Sequence, residues 1–279
     1  MKLDHGWYQV RIDLERLLNR TFGFDDTDIV EFDSILSFED MNALGYARNF
    51  PHLTCVMCAL PKERLASFSC DESTLSRDDR TFDGKLALLP ATCYKHYLSL
   101  RNQNLTAEQV CGCIARCFRN EDKPLDAYRG INFTMKEFVY VGTANGAAAH
   151  LEKGAETIGA IWQRLDLDYD IEVATDPFFD TSSSVAVMSR LLPTKREFVF
   201  EGHALSSLNY HRNYFGEKFG ISLHGDPVHT SCVAFGLERW ISMLRQRFPS
   251  PHEARAALAA VDRSAGWREL AGGLEMERG

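Results

Sequence analysis

Apolar residues Leu14, Leu17, Leu18 and Phe22 recur at helical spacing after Asp13, which predicts an amphipathic helix over residues 11–22, a packing or dimer-facing element. From Ile29 to Met57 the pattern shortens. Gly45-Tyr46 and Asn49-Phe50-Pro51 punctuate it before the β-rich stretch His52 to Met57, which reads as a strand entering the core. Residues 63–82 are polar and charged, an exposed excursion, and the core resumes at Leu86. A Thr-x-Glu start predicts a helix over Thr106 to Cys113. Cys117-Phe118-Arg119 instead reads as a strand whose partner, after a polar loop at 120–130, is Glu137 to Val141, together a long antiparallel hairpin. Gly146 to Leu165, with Ile158, Ile161, Trp162 and Leu165 in register, is helical, and Ile171 to Ala174 returns as a strand. Glu197 to Glu201 predicts another strand, and Val233 to Arg245 a helix entered from His229-Thr230-Ser231-Cys232. From Pro249 onward the chain is a polar, Ala-rich helix or pair of helices. With no repeat and no linker in this pattern, residues 1–279 read as one domain of α+β type with a helical tail from about 249.

Composition narrows the class. The 279 residues are 45% hydrophobic and 25% charged, enough to bury one or two cores, and the longest apolar runs fall far short of the roughly 20 residues of a membrane span. The first ten residues carry Asp4, His5 and Gln9 where a secretory signal needs an apolar stretch, so the cytoplasm is the expected location. A formal charge of -8 disfavours nonspecific nucleic-acid binding. Eight cysteines at irregular spacing suit reduced thiols, some of them binding metal or substrate, better than a disulfide framework. Cys55-x-x-Cys58 has half a zinc-knuckle spacing with nothing to complete it, and both read as buried core cysteines.

Two short constellations offer chemistry. In Cys117 to Glu121 with Phe133 to Phe138, an Arg at one strand end and an aromatic and a Glu on the returning strand can face one cavity. Arg119 can fork onto a phosphate, Phe133 stack on a base and Glu137 meet a cation, although a surface hairpin with ordinary charges has the same pattern. In Gly236-Leu237-Glu238-Arg239-Trp240 a glycine opens a helix bearing an Arg, a geometry for a nucleotide phosphate that also occurs in many solvated helices.

Occurring jointly and in this order, Phe118-Arg119-Asn120-Glu121 with Phe133 to Phe138, and Ala234-Phe235-Gly236-Leu237-Glu238-Arg239, resemble motifs 2 and 3 of class II aminoacyl-tRNA synthetases. Further segments narrow the likeness: Leu44 to Pro51, Pro90-Ala91-Thr92-Cys93-Tyr94, Ala174 to Phe179, Ser207 to Gly216 and His229 to Cys232. They are similar to the amino acid:[carrier protein] ligases, homologues of the catalytic core of the atypical zinc-dependent seryl-tRNA synthetases, over about residues 40–245. The resemblance implies an antiparallel sheet flanked by helices, usually in a homodimer, and a zinc ion held by two Cys and one Glu, matched here by Cys93, Glu137 and Cys232. It places Arg119 on the ATP α-phosphate and the substrate carboxylate, and Glu121 at the nucleotide end. Phe133 then stacks on adenine, with Arg239 on its far side and on the γ-phosphate. Glu201, near the end of the strand before motif 3, is the candidate magnesium ligand.

The implied activity is ATP-dependent activation of a small amino acid (glycine, alanine or serine) as an aminoacyl-adenylate. Transfer follows to the phosphopantetheine thiol of a small carrier protein. The catalytic core takes up almost all of an acidic chain, so tRNA is not the expected acceptor. The alternatives are a truncated synthetase-like enzyme charging tRNA or another small acceptor, and a silent paralogue that binds amino acid or adenylate. The joint presence of Arg119, Glu137, Cys232 and Arg239 argues against silence. Candidate carrier-docking patches are Arg212 to Lys218 and Arg245 to Arg255, either of which also reads as a solvated helix face.

Overall fold

The computed structural model describes residues 3–58, 85–121, 125–263 and 277–278. Its first part runs α1 (His5–Thr21), β1 (Val30–Glu31), β2 (Ile35–Ser37), α2 (Phe38–Ala43), α3 (Tyr46–Asn49), β3 (Leu86–Leu88), α4 (Cys93–Ser99) and β4 (Asn104–Leu105). The centre is the hairpin β5 (Gln109–Phe118) and β6 (Asn132–Gly142), then α5 (Ala144–Arg164), β7 (Asp170–Ala174), α6 (Ser184–Leu191), β8 (Lys195–Phe200) and β9 (His203–Arg212). There follow α7 (Tyr214–Phe219), β10 (Ser222–Leu223), β11 (Asp226–Pro227), β12 (His229–Gly236), α8 (Leu237–Arg247), α9 (Pro251–Arg263) and β13 (Glu277–Arg278).

The main sheet has the order β1-β5-β6-β12-β9-β8-β7. Its long pairings are antiparallel, while β1 and β13 add to β5 in parallel. The period-2 alternation of a strand sends successive side chains to opposite faces and so splits the core in two. Phe138, Val233 and Phe235 join Leu14, Ile158, Trp162 and Trp240 under α1, α5, α8 and α9. Val139, Cys232, Ala234 and the odd-numbered cysteines of β5 join Met41, Tyr97 and Phe215 under α2, α4 and α7. One irregularity interrupts the pairing of β9 with β12. Thr230 faces Arg212 but Ser231 faces Tyr210, which leaves His211 as an extra, bulged residue. Among the described residues no helix is long and apolar enough to cross a membrane.

Several expectations are corrected. The stretch Thr106 to Cys113 is no helix: residues from Gln109 onward form β5, and the carboxylate of Glu108 instead accepts hydrogen bonds from the Thr143 N–H and hydroxyl at the start of α5. The helix expected from Val233 begins only at Leu237, because β12 is buried on both faces and its continuous apolar run carries no strand alternation. His52 to Met57 forms a turn and a single bridge, Val56 to Ala87, in place of a strand. Cys55 is half-buried and Cys58 exposed, so neither belongs to the core. The expected helix 11–22 starts earlier, at His5, where the Asp4 side chain accepts from the Trp7 N–H. The excursion at 63–82 lies outside the described residues.

Helix α7 packs so closely on the junction between β11 and β12 that a Cβ at Gly216 would stand 2.3 Å from the Val228 carbonyl oxygen. Gly216→Ala is therefore expected to destabilise the protein by about 2 kcal/mol or more, since the obstacle is backbone and cannot rotate away. A shift of the urea midpoint with an unchanged slope would show it.

Candidate functional site

Strand register assembles the site. Cys232 lies opposite Val139 on β6 and Asn209 on β9, and Ala234 lies opposite Glu137 and Ser207. Asn209 in turn lies opposite Lys195 and Ser207 opposite Glu197. Side chains at paired positions share a face. Cys232, Asn209 and Lys195 therefore form one rank across three strands, and Glu137, Ala234, Ser207 and Glu197 form the next. Cys93, the first residue of α4, closes onto them from the layer above.

The ligand atoms of Cys93, Glu137 and Cys232 all lie within 4.8 Å of one another, and all three residues are buried. Glu137 Oε1 accepts from the Thr92 N–H at 2.9 Å and Oε2 from the Cys93 N–H at 3.3 Å, which fixes the carboxylate. Asn209 Nδ2 donates to Cys232 Sγ at 3.4 Å. The contact with the Cys232 sulfur, and then burial, pushes the Cys93 thiol well above the usual thiol range, and burial raises the carboxyl of Glu137. Burial favours the protonated forms, although hydrogen bonds from the two thiols offset part of it at Glu137, and a dication would favour the ionised donors. Two sulfurs and one carboxylate oxygen suit a thiophilic divalent metal.

Beside this set lie the residues expected at the nucleotide end. Arg119 follows β5, donates through Nε and Nη2 to the Pro90 carbonyl at 3.1 Å, and places its guanidinium carbon 5.0 Å from the centre of the Phe133 ring. Glu121 Oε2 accepts from Arg129 Nη1 at 3.0 Å. In the first turn of α8, Arg239 donates to the Tyr128 carbonyl at 2.8 Å and the Ala204 carbonyl at 2.6 Å. Glu238 accepts from the Thr134 N–H and hydroxyl and so ties α8 to β6.

A single cavity of about 240 Å³ is lined by Arg119, Glu121, Phe133 and Arg239 together with Cys93, Glu137 and Cys232. Glu201 is not brought to it. That residue sits exposed in the β8–β9 turn at a φ of 47°, accepting from Gln246 Nε2, so its placement gives the magnesium assignment no support. Asp176, Lys195, Glu197, Asn209 and His211 also line the cavity. Sequence reasoning gave them no role, although the segments Ala174 to Phe179 and Ser207 to Gly216 had carried the resemblance. Strand pairing puts Asn209 and Lys195 in the Cys232 rank and Glu197 in the next, while Asp176, beyond the end of β7, is placed by its ion pair with Lys195. Of the two suggested docking patches, Arg245 to Arg255 is engaged elsewhere: Arg245 lies over Trp7, and Arg247 and Arg255 pair with Asp166 and Asp13.

No family model matches the chain. It is 31% identical over 228 residues to amino acid–[acyl-carrier-protein] ligase 2 of Bradyrhizobium diazoefficiens, covering 77% of this chain and 68% of that protein. Ligase 1 of the same organism is 30% identical over 229 residues, covering 76% and 69%. Among solved structures, the seryl-tRNA synthetase of Methanopyrus kandleri, in complex with a selenocysteine tRNA from A. aeolicus, superimposes with a TM-score of 0.72 at 20% identity. That superposition covers 94% of this chain and 55% of the synthetase, so the chain spans about half the synthetase's length. The fold is that of the class II synthetases.

Proposed function

The chain belongs to the amino acid–[acyl-carrier-protein] ligases, and from that premise we propose that it activates a small amino acid with ATP and passes it to the phosphopantetheine thiol of a carrier protein. The observation that carries this reading is the shared cavity, in which Arg119, Phe133 and Arg239 stand beside Cys93, Glu137 and Cys232. Arg119 holds the amino-acid carboxylate against the α-phosphate and neutralises charge there, while Phe133 and Arg239 flank the adenine. A carboxylate oxygen attacks the α-phosphorus, the bond to pyrophosphate breaks, and an aminoacyl-adenylate remains. Zinc, held by Cys93, Glu137 and Cys232, would supply a Lewis-acid position for the substrate amine. In the second step the carrier thiolate attacks the acyl carbon and AMP leaves, so the protein has mainly to align the arm.

Glycine, alanine and serine are the proposed substrates, because Asn209 bonds to Cys232 and Tyr94 and Lys195 line the same cavity as the donor set. Exchange of labelled pyrophosphate into ATP should depend on one of the three, and a preference for a bulky aromatic amino acid would overturn the assignment. For the acceptor, mass spectrometry of a holo carrier incubated with protein, ATP and amino acid should show one added aminoacyl group that hydroxylamine removes. An unmodified carrier beside charged tRNA at equal protein concentration would reverse the reading.

A further inference from the structure

From the Cys93–Glu137–Cys232 set the cavity continues across β9 and β8 but not along the same rank into β6. Toward β6 the rank of Cys232 continues into Val139 and Cys111, buried in the layer that holds the fully buried Tyr97, and the cavity does not reach them. Toward β9 and β8 it runs along Asn209 to Lys195. There Lys195 Nζ donates to Asp176 Oδ1 at 3.0 Å and to Glu197 Oε1 at 2.9 Å. The lysine side chain keeps 20% of its surface exposed and Asp176 keeps 51%, so the ammonium is the inner partner and the aspartate faces the open cavity. Burial lowers the pKa of Lys195, but Asp176 and Glu197 more than offset it and keep the group charged. A lysine is a poor wall while its stem turns freely, and two ion pairs remove that freedom.

We propose that Lys195, pinned between Asp176 and Glu197, is a specificity-determining residue: its side chain is the wall at which the substrate side chain ends. It admits amino acids bearing hydrogen, methyl or hydroxymethyl and excludes branched or longer ones. The inference rests on the function proposed above. With the carboxylate directed to Arg119 and the amine to the Cys93–Glu137–Cys232 set, the third substituent of Cα on this proposal runs along Asn209, where the cavity continues from the rank of Cys232 toward Lys195.

The test reads affinity and not turnover, by calorimetry of the zinc-loaded protein with the non-reactive sulfamoyl analogues of glycyl-, alanyl- and valyl-adenylate. The wild type should bind the glycyl or alanyl analogue about 100-fold more tightly than the valyl one. Lys195→Ala should narrow that ratio about tenfold through a gain for the valyl analogue. Lys195→Met, similar in length but unable to make the two ion pairs, should narrow it by a smaller factor. An unchanged ratio in Lys195→Ala or in Lys195→Met, or an equal loss for all analogues, would overturn the pinned wall. Should Lys195→Ala fail to fold, Glu197→Gln decides by the same ratio, which narrows if the pin matters and otherwise refutes it. A wild type that binds no analogue and exchanges no pyrophosphate overturns the proposed function instead, which separates the two failures.

Discussion

Cys232→Ala and Cys93→Ala are each expected to yield protein without bound zinc and with amino-acid activation reduced by about 10³-fold or more, the several kcal/mol that a Lewis acid contributes. Two remaining donors cannot replace the set of three within 4.8 Å, and the buried Glu137 beside them, its carboxyl already raised by burial, would favour holding a proton instead. Cys55→Ala is the control, because Cys55 is only half-buried, bonds weakly to the Leu53 carbonyl and does not line the cavity. Elemental analysis alongside pyrophosphate exchange checks both. Metal lost from Cys55→Ala and retained in Cys93→Ala would move the site away from the donors named here.

Arg119→Ala is expected to lower kcat/KM for adenylate formation by about 10³-fold, or about 4 kcal/mol, the range seen when one preorganised donor to a developing charge is removed. Arg119→Lys should recover only part of this, since a point charge cannot fork between carboxylate and phosphate. The arginine packs against Phe133 and bonds the Pro90 carbonyl, so the alanine variant also tests structure. Zinc content near that of the wild type, with exchange lost, assigns the defect to chemistry. Exchange surviving within tenfold of the wild type would remove Arg119 from the reaction.

How much of this was legible in the sequence depends on sequence distance. α5 and β7 follow from local periodicity, and so does a hairpin ending near Arg119, but not its register: Glu137 to Val141 pair with Gln109 to Cys113, the stretch expected as helix, and Cys117 pairs with Phe133. Cys93 and Cys232 lie far from Glu137 along the chain and were joined to it only by the family resemblance, since no local spacing relates the three. The start of α8 was misplaced because Val233 to Gly236, buried on both faces, have neither strand alternation nor a helical stripe. Lys195 and Asp176 escaped notice for a different reason: a Lys and an Asp 19 residues apart are unremarkable until β7, β8 and β9 fold them against the Cys232 rank.

The bulge at His211 has a consequence for how such a site can change over time. Had the pairing of Thr230 with Arg212 continued without it, Cys232 would stand beside Tyr210, and Asn209 would turn toward the α5 side of the sheet. One inserted residue thus decides which side chain neighbours the sulfur and, through Asn209, which residue of β8 faces the substrate. His211 is held in place by the Tyr97 hydroxyl, 3.2 Å from its Nδ1, and by ring contacts with Phe215, and burial pulls its pKa down to about 4, so the imidazole stays neutral there. Gain or loss of a single residue in β9 would then reset the whole rank at once, whereas a point substitution such as one at Lys195 changes one wall and leaves that frame in place.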